Sequence, residues 1–405
     1  MRIYFCNRYV TPDLSATSQL LTDLSTHLAT RGMHVTLVGS RQRYDDAQAT
    51  LPETERIDGV DVLRVGSSRF GRDGLAGRAL DYLDYSRGVR RALTERLQPG
   101  DVVVAMTDPP MLGSALGRIA ARRGAHCVHW LQDLFPEVAE AVFGGAVRMA
   151  AAPLRGWRNR GLRRSAQVVV ISEGMAVRIA ALGVPRERIM VIENWTDAES
   201  IRPLAAQDNP LRREWGLEGK FVIGYSGNLG RAHDWRTMLE VATRLRERDD
   251  IRFVLIGGGR GLHEFSDEAT VRKLDNVILK PYQPREALAQ SLSLPDLHWL
   301  SLSPSLEGCI FPSKWYGILA AGRPSLFIGK LDGEVAQRLH ASQIGHAVAP
   351  GDVDGACAGI ERLAGDPELV SAMGARARRL LDAHFTRDAT FQRWDTMLTS
   401  IQTSP

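Results

Sequence analysis

Short, β-branched apolar runs alternate with longer helical patterns along most of this chain. That alternation narrows the possible folds more than any other feature. Ile3–Cys6 is followed by a helical pattern over Ser15–Thr30 and then by Val35–Gly39. Asp101–Met106 leads to Met111–Arg123 and on to His126–Leu131, while Gln167–Ile171 precedes a helix from Glu173 and Arg188–Ile192 follows it. Runs that are apolar at every position belong to strands covered on both faces, hence to parallel sheets with helical crossovers. The rhythm lapses around Thr196–Asn209, where Pro203, Asp208 and Pro210 read as a linker, and then restarts. Phe221–Tyr225 leads to a turn and a helix from Asp234, and Phe253–Ile256 runs into Gly257-Gly258-Gly259. Val277–Lys280, Leu297–Leu302 and Ser325–Ile328 read as further strands. Two such series predict two doubly wound α/β domains, and 405 residues suit two or three domains of roughly 100–200 residues. In such sheets a ligand sits beyond the carboxyl ends of the strands, so two facing sheets open onto one cleft.

Composition excludes several classes. Apolar residues make up 44% and charged residues 24% of the chain, an ordinary globular balance. A net charge of +4 argues against a dedicated nucleic-acid binder. Cys6, Cys127, Cys309 and Cys357 form no CxxC pair, so neither a zinc site nor a disulfide framework is expected, and reduced thiols in a cytoplasm are the simplest reading. The ten His residues show no HExxH spacing, so no metal is expected. The start, Met-Arg-Ile-Tyr-Phe-Cys-Asn, lacks the apolar stretch of a signal peptide. The longest stretch free of Asp, Glu, Lys and Arg is Leu339–Gly351, 13 residues, short of the ~20 a spanning helix needs.

Two segments point to anion chemistry. Ile223-Gly224-Tyr225-Ser226-Gly227-Asn228-Leu229-Gly230-Arg231 reads as a strand ending in a Gly-rich turn before a helix. Glycines there let backbone N–H groups approach a phosphate; a tight turn without a ligand is the plainer alternative. It is not a Walker loop, since Gly-Lys-Ser/Thr is absent. In Glu307-Gly308-Cys309-Ile310-Phe311-Pro312-Ser313-Lys314 and the small-residue helix that follows, Ser313 is placed to cap and Lys314 falls in the first turn. A lysine there opposes the helix dipole, which an anion nearby would explain; otherwise it points away to solvent. A third segment, Ala141–Ser172, holds six Arg (148, 155, 158, 160, 163, 164) and no Asp, Glu or Lys, with Leu154, Trp157 and Leu162 interleaved. Such a segment suits an anionic membrane surface, and a solvated helix face is the plainer alternative. No nucleic-acid module accompanies it.

The ordered blocks Asp13–Leu28, Trp130-Leu131-Gln132-Asp133-Leu134-Phe135-Pro136-Glu137, Ile171-Ser172-Glu173-Gly174, Glu193-Asn194-Trp195-Thr196-Asp197, Tyr225–Gly230, and Pro312-Ser313-Lys314 through Gly322-Arg323-Pro324 together resemble the GT4-type retaining glycosyltransferases of the GT-B fold, especially those of bacterial polysaccharide synthesis. The resemblance covers nearly the whole chain. It implies transfer of a hexosyl or N-acetylhexosaminyl group, with retention, from a UDP- or GDP-linked donor to a lipid-linked or saccharide acceptor. No metal or other cofactor is implied. It places Arg231 and Lys314 beside the leaving diphosphate, and Asp133, after the His126–Leu131 strand, beside the reacting sugar; as an alternative, Asp133 caps the next helix. Gly227, Asn228, Gly230, Gly258, Tyr282, Glu307, Pro312 and Ser313 fall on the donor side. Asn7, Arg8, Thr11, Ser15 and Thr17 fall on the acceptor side. Two departures stand out. Where many members carry a second donor-loop Glu this chain has Gly317, and the usual Gly-Arg pair is Gly227-Asn228.

The expected fold is therefore α/β, GT-B, with two Rossmann-like domains facing a central cleft. Residues 1–195 form the acceptor-side domain, 205–385 the donor domain, and 386–405 a helix returning to the first domain. The protein is expected to be cytoplasmic, held peripherally on the inner membrane face through Arg148–Arg164. A nucleotide-sugar epimerase of the same fold and a non-catalytic sugar-nucleotide-binding subunit are the rival readings.

Overall fold

The double alternation becomes two separate, mainly parallel sheets. The computed structural model describes residues 1–13, 15–43, 50–66 and 75–403. It divides into two units: Met1–Glu193 with Gly308–Ile310 and Thr390–Pro405, and Asn194–Glu307 with Phe311–Ala389.

The first unit contains β1 (Arg2–Cys6), α1 (Ala16–Thr30), β2 (His34–Gly39), β3 (Thr54–Ile57), β4 (Val60–Arg64), α2 (Leu75–Arg96), β5 (Val102–Ala105), α3 (Leu112–Arg122), β6 (His126–Leu131), α4 (Glu137–Phe143), α5 (Gly145–Arg164), β7 (Gln167–Val170), α6 (Glu173–Ala181) and β8 (Ile189–Val191). Its sheet runs β3-β4-β2-β1-β5-β6-β7-β8, parallel except for β3 with β4. The sequence rhythm misses that hairpin, because Asp61 and Arg64 interrupt its apolar run. Its signal is instead Asp58-Gly59, both with φ near the left-handed region (47° and 82°), as a two-residue hairpin turn requires.

The second unit contains α7 (Pro210–Glu214), β9 (Phe221–Asn228), α8 (Arg236–Arg244), β10 (Ile251–Gly258), α9 (Arg260–Val271), β11 (Val277–Lys280), α10 (Leu288–Ser293), β12 (Leu297–Ser301), α11 (Lys314–Ala320), β13 (Ser325–Ile328), α12 (Glu334–Ser342), β14 (Gly345–Val348), α13 (Val353–Ala364) and α14 (Pro367–His384). Its sheet is wholly parallel, in the order β11-β10-β9-β12-β13-β14. A last helix, α15 (Arg387–Thr403), leaves this unit. From Thr390 it belongs to the first, where Trp394 packs between Phe5 of β1 and Trp130 of β6, with ring centroids 6.2 and 4.7 Å away.

Burial explains the strand signal. Every residue of β5, β12 and β13 is buried, which is what continuous apolar runs require. The strand order reverses between β1 and β5 in one unit and between β9 and β12 in the other, and ligands of doubly wound sheets sit beyond such points.

Two expectations are corrected. Thr196–Asn209 is not a free linker. Arg378 donates to the carbonyls of Ala198 and Ile201, and Arg323 to that of Leu204, so the segment lies against the second unit. And β9 does not turn at Tyr225; pairing with β10 continues through Gly257↔Gly227 and Gly258↔Asn228.

Candidate functional site

In the second unit, three glycines bring backbone unusually close at the carboxyl ends of β9 and β10. Gly257 has φ 137°, and a Cβ there would strike the Gly227 carbonyl. Gly259 has φ 104°, and its Cβ would strike the Asn228 side chain. Gly227, at φ 120°, faces Lys314: a Cβ on it would lie 2.8 Å from Lys314 Cε. Removing side chains here leaves a slot along which the lysine lies.

Lys314 opens α11 and does not point away. Its Nζ donates to the Asn228 carbonyl at 3.2 Å and stands 4.8 Å from the Tyr225 ring centroid. The Tyr225 hydroxyl donates to the same carbonyl at 2.7 Å. Burial lowers the Lys314 pKa to about 8, because the ammonium has exchanged bulk water for one carbonyl and one ring face. His233, which the sequence reading passed over, has Nδ1 2.7 Å from the Ser301 carbonyl and its ring edge-on to Tyr225. Burial first, and the Lys314 charge second, hold its pKa near 4. A neutral imidazole beside a carbonyl donates from that nitrogen, which leaves Nε2 as an acceptor.

The other donor-side residues divide. Tyr282 is 60% exposed, with its ring beside Gly258. Pro312 is buried, and its carbonyl accepts the Trp315 N–H at 3.0 Å. Gly230 is half-buried and Arg231 exposed on the turn. Ser313 holds the cap position of α11 but makes no side-chain cap bond, because its own backbone is already helical. The Leu229 N–H is donated to the Gly258 carbonyl at 2.8 Å, so that amide of the Gly227–Gly230 turn is spent on β10 and does not meet an anion. Glu307 is tied to the start of α12. Its Oε1 accepts the Glu334 N–H at 2.8 Å at the start of α12, and a Cβ on Gly333 would lie 2.6 Å from its other oxygen. It acts as a helix cap. At Gly317, aligned with the missing acid, a Cβ would meet Leu292 at 3.2 Å.

In the first unit, Asp133 follows β6 at the carboxyl edge of the sheet, near the β1/β5 reversal. Water reaches its carboxyl, yet protein crowds it, and that desolvation raises its pKa to about 6. It lines a small cavity with Ser114, His129 and Arg158. Arg158 is gripped by Glu137 through two bonds of 2.7 and 2.9 Å and donates to the Phe135 carbonyl at 2.9 Å. Arg155 pairs with Glu140 at 3.1 Å.

These pairs correct the reading of α5 as one cationic face. Arg155 and Arg158 turn inward to the acids of α4, and Leu162 is fully buried. Arg160, Arg163 and Arg164 remain exposed; the Arg148 side chain lies outside the described residues. Asn7 and Arg8 also have partners within the first unit. Asn7 is wholly buried and donates to the Tyr9 carbonyl at 2.7 Å. Arg8, 3% exposed, pairs with Asp81 at 3.2 Å and Gln42 at 3.1 Å between the Tyr9 and Tyr82 rings. Both are engaged in bonds that hold the β1 edge together. The Thr11 carbonyl accepts from Arg64 at 2.7 Å. Ser15 makes no cap bond through its hydroxyl, its N–H instead meeting Asp13 at 2.8 Å, and Thr17 is half-buried in the first turn of α1.

Two family models match the chain: a glycosyl transferase 4-like domain over residues 17–195 and glycosyl transferases group 1 over residues 207–380. The putative colanic acid biosynthesis glycosyl transferase WcaI of Escherichia coli K12 is 26% identical over 299 residues, 72% of each chain. Sucrose-phosphate synthase from Thermosynechococcus elongatus superposes with TM-score 0.78 at 15% identity, covering 99% of this chain and 98% of that one. Anabaena HepE in complex with UDP-glucose gives 0.72 at 15% identity, covering 99% and 100%. The chain belongs to the GT4-type glycosyltransferases of the GT-B fold and is related to enzymes of polysaccharide biosynthesis.

Proposed function

We propose that this enzyme transfers a hexosyl or N-acetylhexosaminyl group from a UDP- or GDP-linked sugar, with retention, to a lipid-linked or saccharide acceptor. The observation that carries the reading is Lys314, a half-buried cation held along a glycine-lined slot where β9 and β10 end. A cation so placed is poorly solvated and gains most when a diphosphate arrives. The family and the UDP-glucose bound by Anabaena HepE support a nucleotide-sugar donor. In this reading Lys314 and Arg231 stabilise the departing diphosphate without a metal, and Tyr282 lies against the base. Asp133 stands beside the reacting carbon. Acting peripherally on the cytoplasmic membrane face, through the exposed Arg160, Arg163 and Arg164, would bring the enzyme to a lipid-linked acceptor.

The test is a thermal-shift screen of UDP, GDP, UDP-glucose and GDP-mannose, followed by a turnover assay. A ligand at 100 times its Kd adds about 2.7 kcal/mol of stability. The expected result is a shift with one base that Lys314→Ala removes. No shift with any of the four, or an undiminished shift in Lys314→Ala, overturns the reading. Nucleotide binding without sugar release or transfer would identify a binding subunit.

A further inference from the structure

Three neighbouring helices on one face of the first sheet repeat the same unfavourable arrangement. On α2 Arg87 and Arg91, on α3 Arg118 and Arg122, and on α5 Arg160 and Arg164 stand four residues apart, and all six are exposed. Like charges at that spacing lie one above the other on a helix and repel. The three pairs share one surface. Tyr85 and Val89 of α2 enter the same buried core as Leu112 and Leu116 of α3. On the far side of α3, α5 comes so close that a Cβ on Gly161 would strike the Ser114 hydroxyl. Among the described residues of these helices the one exposed acid is Glu95, already paired with Arg91 at 3.2 Å. The six arginines outnumber the net charge of the entire chain, +4, so positive charge is concentrated on this layer.

The same layer carries apolar surface at one end. Leu80 and Leu83 of α2 are 46% and 50% exposed. With Arg87 they occupy positions i, i+3 and i+7 of one helical stripe. Asp81, between the leucines, pairs with Arg8 just beyond the end of β1. The leucines therefore sit at the carboxyl edge of the sheet, the edge that also carries Asp133. A nucleic-acid backbone would satisfy the arginines but offers nothing to exposed leucines. A bilayer offers phosphate to the cations and acyl chain to the leucines.

We propose that the outer face of α2, α3 and α5 docks on an anionic phospholipid bilayer, with the arginine pairs against the headgroups and Leu80 and Leu83 inserted at the edge where a lipid-linked acceptor would enter. This deepens the membrane reading given above, which rests on α5 alone, and vesicle binding tests it without donor or acceptor.

The experiment measures partitioning of the full chain onto phosphatidylcholine vesicles with and without phosphatidylglycerol. The native chain is compared with the double variants Arg118→Gln, Arg122→Gln and Leu80→Ser, Leu83→Ser. An arginine near an anionic leaflet contributes about fivefold, so the α3 pair should lose about 25-fold. That loss should shrink as salt rises. The leucine pair should lose about tenfold, and its loss should persist at high salt, because apolar transfer is not screened. All four side chains are exposed, so both variants should unfold within about 2 °C of the native chain. A polarity-sensitive dye on Leu83→Cys should brighten on anionic vesicles; the four native cysteines are buried and escape labelling. The same dye on Thr396→Cys should not respond. Thr396 lies on α15, which packs on Phe5, whereas Tyr4 and Cys6 face α2 and α3 from the other side of the sheet. Vesicle binding that neither double variant diminishes, with a silent dye at position 83, overturns the proposal and leaves attachment through α5 alone. Tighter binding to a DNA duplex than to anionic vesicles overturns it as well. The expected vesicle behaviour in an enzyme that transfers only to a soluble saccharide would support this surface while removing the lipid-linked acceptor from the proposed function.

Discussion

Lys314 and Asp133 carry opposite consequences of crowding. For Lys314, burial lowers the pKa to about 8. The folded chain therefore binds fewer protons than the unfolded one between about pH 8 and 10.5, and this group makes stability rise with pH across that window. A diphosphate reverses the preference by favouring the ammonium. Titration of UDP or GDP near pH 8.5, in buffers of different ionisation enthalpy, should thus show proton uptake that Lys314→Met abolishes; heats indifferent to the buffer would remove Lys314 from the phosphate site. If the lysine also stabilises leaving-group charge, Lys314→Ala lowers kcat/KM by about 10²–10³-fold. For Asp133 the shift is upward, to about 6. The carboxylate is disfavoured in the folded state above that pH, so Asp133→Asn should raise Tm at pH 7.5. The gain should shrink as pH falls through 6 and be gone only below the ordinary carboxyl value of 3.8, where the side chain is uncharged in both the folded and the unfolded chain. Water at the carboxyl screens the effect and keeps it small. Turnover should drop in the same variant. A variant that is no more stable at pH 7.5 than at pH 4.5, relative to native, would contradict the crowding account.

At the scale of elements, close approach and paired charge decide what each segment can do. Gly257 lets β10 pass the Gly227 carbonyl at a φ that side chains rarely adopt. Gly257→Ala should cost about 2–5 kcal/mol through overlap and backbone strain. Urea unfolding would show this as a lower midpoint with an unchanged slope. In α5 the arginines are not equivalent. Arg158, 4% exposed and held by Glu137 and the Phe135 carbonyl, belongs to the fold. Arg158→Ala should cost about 2–3 kcal/mol, below the figure for a fully buried pair because Glu137 is partly exposed. Arg160→Ala, on the exposed side, should change the midpoint hardly at all. Equal effects from the two substitutions would refute the division.

For the whole molecule, the question is where it works. Among the described residues no helix is long and apolar enough to cross a membrane. Attachment through Arg160, Arg163 and Arg164 would be electrostatic, about 1 kcal/mol per arginine near an anionic leaflet, with a reach of about 8 Å at physiological salt. Co-sedimentation with anionic vesicles should therefore exceed that with neutral ones, fall as salt rises, and be lost in the Arg160, Arg163 and Arg164→Glu triple variant. Equal recovery on both vesicle types would place the enzyme's acceptor elsewhere.

The class of fold was legible from the chain alone because its cause is local. A strand buried on both faces must be apolar throughout, and eleven largely apolar runs separated by helical patterns leave few topologies; residue spans such as His126–Leu131 and Ser325–Ile328 coincide with β6 and β13. The hairpin Thr54–Arg64 was harder to see, since one face of an edge strand tolerates charge, although Asp58-Gly59 marked its turn. Lys314 was visible as an unusual cation at a helix start. What no local pattern revealed was which groups would be consumed by partners distant in sequence. Arg8 and Asp81 lie 73 residues apart, Arg158 and Glu137 21, Glu307 and Glu334 27. Sequence periodicity determines which faces must be buried, because burial is set residue by residue. Whether a given charge or hydroxyl is spent on the fold or left to act is set by what the tertiary structure brings within 3 Å of it.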